Sequence, residues 1–332
     1  MSSTAAKSSA SPLMVILAFA TVYIVWGSTY FFIGEAVREI PPMLMGAFRF
    51  LASGGVMLLW CLIRRENLWN WPQIKTSAIT GLLLLFIGNG AVIWSEMTLP
   101  SSLVAVMISS APLWFVLLDK PKWKENFTSR STLTGLGIGF VGVILLFSEQ
   151  AIKAMDSADT IGTLTGLIIV IIGCMSWAGG SIYSKYRSTG SATVNTTWQM
   201  LIAGLVFLPL SFARNEWTGF HWSAVSANAW FSIVYLIIMG SLVAYSAYVW
   251  LLQVRPATQV STYAYVNPVV AVLLGVLFAG EHMSTLQIVG LAIILGSVLL
   301  INLAKYRKEK APAAVAESQA AVVVPAGQKA TV

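Results

Sequence analysis

Charged residues are scarce in this chain: they make up 10% of 332 residues, against 57% that are hydrophobic. A soluble domain carries about a quarter charged residues, so this sequence cannot cover a water-facing surface, and a lipid bilayer is the solvent that suits it. Histidine is scarcer still. His221 and His282 are the only two, and neither has an acidic or histidine partner at i+4, which leaves metal-dependent hydrolysis and haem ligation without donors. The two cysteines, Cys61 and Cys174, both fall inside apolar runs and form neither a disulfide framework nor a CxxC metal motif. No Walker A sequence is present, so ATP is not the direct energy source. These absences argue against an enzyme and against any cofactor. The formal net charge of +7 sits in short loops between apolar runs, which is how membrane topology is written, so no nucleic-acid partner is expected.

What the chain does have is long apolar runs. A membrane-spanning helix needs about 20 mostly apolar residues. Segments at roughly 13–33, 42–63, 76–96, 101–118, 131–148, 162–184, 194–213, 229–253, 257–279 and 284–303 qualify. They are continuously apolar, with no period-two alternation, so helices are expected rather than barrel strands. The fold class read from this pattern is all-α integral membrane, with ten transmembrane helices. The first run, Leu13 to Gly34, exceeds a signal-peptide core of about 7–15 residues and lacks a small-x-small end, so it reads as a retained span. Residues 1–12 form a polar N-terminus, and 305–332 turn basic and then Ala/Val/Pro-rich, as a disordered tail would.

Orientation follows from Lys and Arg. Lys7, Arg64, Arg65, Lys75, Lys120, Lys122, Lys124, Arg130, Lys185, Arg187, Arg255, Lys305, Arg307, Lys308, Lys310 and Lys329 fall in one set of loops; Arg38, Lys153 and Arg214 fall in the other. The positive-inside rule then puts both termini in the cytoplasm.

The sequence also repeats itself. Trp94, Pro100 and Pro112 match Trp250, Pro256 and Pro268 at an offset of 156, and Gly135 matches Gly290 at 155. Upstream, Trp26-Gly27-Ser28-Thr29-Tyr30 resembles the stretch from Trp177 to Tyr183, and Phe48-Arg49 with Gly54 resembles Trp198-Gln199 with Gly204 at an offset of 150. In order and at nearly constant offset, these matches indicate a duplication, 13–150 and 160–304. Each half holds five spans, an odd number, so the second half enters the membrane in the opposite sense. Inverted repeats of this kind characterise transporters, with the substrate site near the midplane where the halves meet.

The pattern resembles the EamA family of the drug/metabolite transporter (DMT) superfamily. The resemblance is carried by Trp26-Gly27-Ser28-Thr29-Tyr30, Arg49-Phe50, Gly88-Asn89-Gly90, Pro112 and Tyr263-Ala264-Tyr265-Val266-Asn267-Pro268. It implies a drug/metabolite exporter of the bacterial inner membrane, moving amino acids and related metabolites or hydrophobic toxic compounds, with helices 1, 3, 4, 6, 8 and 9 around a central cavity. Export rests on the resemblance. Substrate identity, oligomeric state and energy coupling stay open, with protons a possible partner and facilitated diffusion the other reading. A channel without alternating access is the rival within membrane transport; a membrane-embedded enzyme is the rival from another class.

Candidate residues follow from cost. Arg49 is the one Lys or Arg inside a span, and a charge there costs at least about 2.5–3.5 kcal/mol, so it must face protein, water or a partner. Helix 2 enters near Pro42, which puts Arg49 roughly 10 Å deep at about 1.5 Å per residue. It either pairs with Glu96 at the end of helix 3, as a gate, coupling site or carboxylate binder, or it snorkels outward onto loop carbonyls. Pro112 and Pro268 interrupt helices at matching positions and read as hinges or as static bends. The polar and aromatic candidates for the cavity wall are Trp26, Ser28, Tyr30, Asn89, Trp94, Ser109, Trp177, Tyr183, Tyr245, Tyr263 and Asn267. No metal ligands are expected.

Overall fold

The computed structural model describes residues 11–95, 97, 99, 104, 107–155, 160–279 and 284–301. These residues are mainly helical, and no strand occurs among them. The main helices are α1 (Pro12–Val37), α2 (Pro42–Ile63), α3 (Trp71–Ser95), α4 (Ala111–Leu118), α5 (Arg130–Met155), α6 (Thr160–Arg187), α7 (Ala192–Ala213), α8 (Ala227–Val254), α9 (Tyr263–Ala279) and α10 (Thr285–Ile301). Prolines at or beside the first position begin α1, α2, α3 and α4, where their fixed φ and missing N–H cost nothing.

Among the described residues, six helices are able by length and composition to cross a membrane: α1, α2, α3, α6, α7 and α8. The others depart from the uninterrupted runs that the sequence implies. The stretch before α4 falls partly outside the described residues. α5 joins a short preceding helix across an 89° bend. The ninth run is split by a turn at Ser261–Thr262 into Ala257–Val260 and α9, and α10 is short. Apolar side chains such as Leu13, Ile16, Leu59, Ile63, Phe31 and Phe231 are exposed on the outside of the bundle, as lipid-facing residues are.

Helices α2 and α7 pack against each other by reciprocal contacts. A Cβ on Gly54 would lie 2.9 Å from the backbone nitrogen of Leu201, and one on Gly204 would lie 2.8 Å from that of Leu51. Both pairs are related by the same offset of 150 residues. The two helices also end alike. Arg65 and Asn215 take the left-handed conformation, with φ of 54° and 55°. Glu66 N–H donates to Cys61 O (2.9 Å) and Glu216 N–H to Ser211 O (3.0 Å), the six-to-one bond of a Schellman end.

The same reciprocity joins α5 to α10. A Cβ on Gly135 would clash with Ile301, and one on Gly290 with the backbone of Leu146. Small residues let helices in lipid approach closely, and here they do so in matched pairs.

Two segments leave the α-helical pattern altogether. Leu82–Asn89 within α3 and Leu236–Tyr245 within α8 are π-helical. Wider turns misalign the carbonyl ladder, and such segments are frequent at functional sites. In each, a side chain from a neighbouring helix donates to a carbonyl: Ser176 Oγ to Leu83 O (2.8 Å) and Trp26 Nε1 to Gly240 O (3.2 Å).

Because the backbone nitrogen of a leucine, as well as its side chain, lies within 3 Å of a Cβ added at Gly54 or Gly204, alanine at either position must push α2 and α7 apart. Gly54→Ala and Gly204→Ala are each expected to cost about 1–3 kcal/mol, measured by unfolding in detergent. Gly55→Ala, where a Cβ meets open space, is expected to cost nothing; equal effects at positions 54 and 55 would contradict the packing described.

Candidate functional site

The two π segments face one cavity. It holds about 790 Å³ of atom-free space, counting its mouth, and is bordered by α1, α2, α3, α4, α6, α8 and α9. Of the residues expected at the site, Trp26, Tyr30, Arg49, Asn89, Trp177, Tyr245, Tyr263 and Asn267 line it. Ser28, Trp94, Ser109 and Tyr183 are not among its lining residues. Ser28 bonds the Tyr235 hydroxyl (2.6 Å). Trp94 stacks under Arg214, whose guanidinium lies 4.2 Å from the ring centroid. Tyr183 is half-buried on α6. Glu96 lies outside the described residues.

An aromatic cluster forms one wall. Trp26 meets Trp177 edge-on (centroids 5.5 Å), Tyr263 edge-on (5.1 Å) and Tyr248 at a tilt (4.9 Å). Tyr248 meets Tyr263 at 89° and 5.6 Å. These are the offset and edge geometries that aromatic quadrupoles favour.

The polar tips of the rings are held. Trp177 Nε1 donates to the Tyr248 hydroxyl (3.0 Å), which also pairs with Ser181 Oγ (2.6 Å). Tyr245 donates to Gln199 Oε1 (3.0 Å), and Gln199 Nε2 donates to Thr80 Oγ1 (2.7 Å). Tyr248 stands out in the sequence as an aromatic side chain within a span but is not among the residues expected on the cavity wall; Ser181 and Gln199 are not candidates at all. Gln199 is visible only as the counterpart of Arg49, and Ser181 only within the stretch from Trp177 to Tyr183 that resembles Trp26 to Tyr30.

Arg49 is 4% exposed, so it does not snorkel to the surface. Its Nε donates to Ser241 Oγ on the π segment of α8 (2.9 Å). Its Nη1 is buried with no hydrogen-bond partner among the described residues, and so is Asn89 Oδ1. Gly240 makes room for it: a Cβ there would lie 3.1 Å from Arg49 Nη2. Asn267, with its amide nitrogen turned toward them, donates to Tyr263 O (3.0 Å) and Tyr23 O (3.2 Å), which ties α9 to α1.

The two prolines sit differently. Pro112 begins α4 just after a turn at Ser109–Ser110. Pro268 lies inside α9 and deprives the carbonyl four residues earlier, that of Ala264, of its helical donor. Ser109 Oγ donates to that carbonyl at 3.0 Å, so the hydroxyl from the fourth helical run replaces the bond that the proline removes.

On one side of the cavity the helix ends carry Arg64, Arg65, Lys75, Lys122, Lys185, Arg187 and Arg255. There Lys185 Nζ donates to Leu252 O (2.8 Å) and Arg255 O (2.6 Å), and the Tyr186 hydroxyl donates to Asp119 Oδ1 (2.7 Å). These bonds hold the ends of α4, α6 and α8 together. Burial raises the pKa of the Asp119 carboxyl; the Tyr186 hydrogen bond, Lys185 and Lys122 oppose that rise, and Glu125 adds to it. At the opposite ends of the helices, Glu39 accepts from Ser226 N and Oγ, which lowers its pKa, and Glu216 accepts from Leu44 N (2.8 Å).

Fold and cavity together describe a multi-pass membrane protein with a solute-sized site at its centre. The chain belongs to the EamA-like transporter family, whose model matches twice, over residues 13–148 and 164–303; it is therefore a membrane transporter of the drug/metabolite superfamily. YedA of Escherichia coli K12, described as an uncharacterised inner membrane transporter, is 35% identical over 287 residues, 86% of this chain and 89% of that protein. Protein PecM of Dickeya dadantii is 27% identical over 291 residues, 84% of this chain and 89% of that one. A solved crystal structure of a protein 18% identical superposes with a TM-score of 0.72, covering 90% of this chain and 100% of that one; at that identity it shows the fold alone.

Two outcomes are expected. Ser109→Ala strands the Ala264 carbonyl and should cost about 1–3 kcal/mol, while the double variant with Pro268→Ala, which restores the helical donor, should recover much of it; chemical unfolding of both reads this directly. For Asp119, a raised folded pKa means stability that is present at low pH and lost as pH rises through the folded value. Asp119→Asn should therefore gain stability relative to the natural chain as pH increases from about 4 to 8. Parallel pH–stability curves would contradict the burial assigned to this carboxyl.

Proposed function

We propose that this chain is a secondary transporter that exports small metabolites, amino acids or related compounds, or hydrophobic drugs, by alternating access. The observation that carries the reading is a central cavity walled by corresponding elements of two halves, with side-chain contacts beneath it at one end. Trp26 and Trp177, the π segments of α3 and α8, and Arg49 and Gln199 are counterparts across the duplication. The Schellman ends of α2 and α7 lie at opposite ends of the bundle. These features, with the double match to one family model, support two inverted five-helix repeats and ten spans. The basic helix ends face the cytoplasm by the positive-inside rule, with both termini on that side.

In this arrangement the cavity belongs to the outer half of the membrane. Tyr248, Ser181 and the Tyr23–Thr262 bond (2.6 Å) lie beneath it toward the cytoplasm, followed by the Lys185 and Asp119–Tyr186 contacts. Rocking one half against the other would break this set of hydrogen bonds and close the other end. Pro268 and the turns before α4 and α9 are the candidate hinges, and Glu96 with Arg49 the candidate gate.

The test is counterflow in liposomes, with radiolabelled amino acids, nucleosides and cationic dyes, with and without a pH gradient. Saturable exchange stimulated by solute on the far side is expected of alternating access. Non-saturable flux with no trans-stimulation would replace the proposal with a pore.

A further inference from the structure

Arg49 and its counterpart across the duplication are not treated alike. Gln199, 150 residues on, has both ends of its amide satisfied, by Tyr245 and Thr80. Arg49 occupies the matching place on α2 with one bond from Nε to Ser241, and its buried Nη1 has no partner among the described residues. An arginine kept only for packing would be replaced at little cost by a neutral residue such as Gln199. A cation in the bilayer interior with a free donor calls for an anion.

The cavity states which kind. Among the described residues Arg49 is its single charged lining residue, so it neutralises one negative charge and would leave a phosphate dianion half uncompensated. A guanidinium presents a planar fork that matches a carboxylate. Asn89 Oδ1, also buried and unpartnered, lines the same cavity and offers an acceptor to a donor group on the same solute. The rest of the wall is apolar and aromatic.

Resting on the transporter reading, we propose that the transported solute is a monocarboxylate, held through its carboxylate by Arg49, with an apolar body against the aromatic wall and a hydrogen-bond donor on Asn89. Arg49 is then the residue that selects anions over amines and neutral solutes, and Ser241 positions it.

The experiment measures thermal protection of the full chain in detergent by acetate, butyrate and 3-phenylpropionate, beside the matching amides, phenethylamine and inorganic phosphate. At least one carboxylate is expected to protect, its amide, the amine and phosphate not to, and Arg49→Gln to weaken that protection at least about tenfold in apparent affinity. Arg49→Gln should itself fold, since it removes an uncompensated charge; Arg49→Lys, which keeps the charge but loses the fork, should show intermediate affinity and guards against a folding defect. Gly55→Ala, exposed on α2 away from the cavity, should leave carboxylate protection in place.

Equal protection by amides or amines, an unchanged affinity in Arg49→Gln, or no protection by any carboxylate overturns the proposal. Saturable counterflow of an amine or neutral solute would overturn it too, while leaving alternating access intact.

Discussion

A peptide group in hydrocarbon has no water to turn to, so every break in a helix must be covered by protein or open onto a cavity. That constraint locates the site. The departures from regular helix that border the cavity or its supports are the two π segments, the turns before α4 and α9, and Pro268, while Pro209 inside α7 faces outward near that helix's end. All five are covered by named donors or border the cavity: Leu83 O takes Ser176, Gly240 O takes Trp26, Ala264 O takes Ser109, and the residues just after the two turns, Ala111 and Tyr263, line the cavity. Irregularity is concentrated where a solute has to be met, and the remaining helices are held by close glycine contacts.

The same division separates what is stiff from what is able to move. Between α2 and α7, and between α5 and α10, backbone meets backbone across glycines, and such packing does not deform in small steps. Around the cavity the contacts are of another kind: ring edges, single hydrogen bonds and the carbonyls at the end of α8. Contacts of that kind can be exchanged for a second set without unfolding anything. The proposed rocking of two halves would need a rigid seam and exchangeable ends, and these are the two kinds of contact it would use.

Much of this was legible in the sequence because composition and periodicity are strong signals in membranes. Apolar runs predicted the helices to within a few residues at α2 and α7, and the offsets of 150 and 155 relate the glycines that face each other's helices at the α2–α7 and α5–α10 contacts. Trp26, Trp177, Tyr245, Tyr263 and Asn267 were identifiable as polar or aromatic side chains within apolar runs. The π segments were not legible, since Leu82–Asn89 and Leu236–Tyr245 have the composition of any apolar helix, and only the neighbours that donate into them mark the change. The division of labour among hydroxyls was equally hidden. Ser28, Ser109 and Ser241 look alike in sequence, yet one bonds a tyrosine away from the cavity, one repairs a proline break and one holds the arginine.

The central claim is that the bonded helix ends at Asp119, Tyr186, Lys185 and Arg255 are one of two arrangements. Spin labels on Lys122→Cys and Arg187→Cys, both exposed positions flanking that contact, in a chain with Cys61→Ser and Cys174→Ser, report the distance across it in liposomes. Alternating access predicts two populated distances, a short one matching the closed ends and a longer one, whose shares shift with pH and lipid. A single short distance under every condition would contradict it.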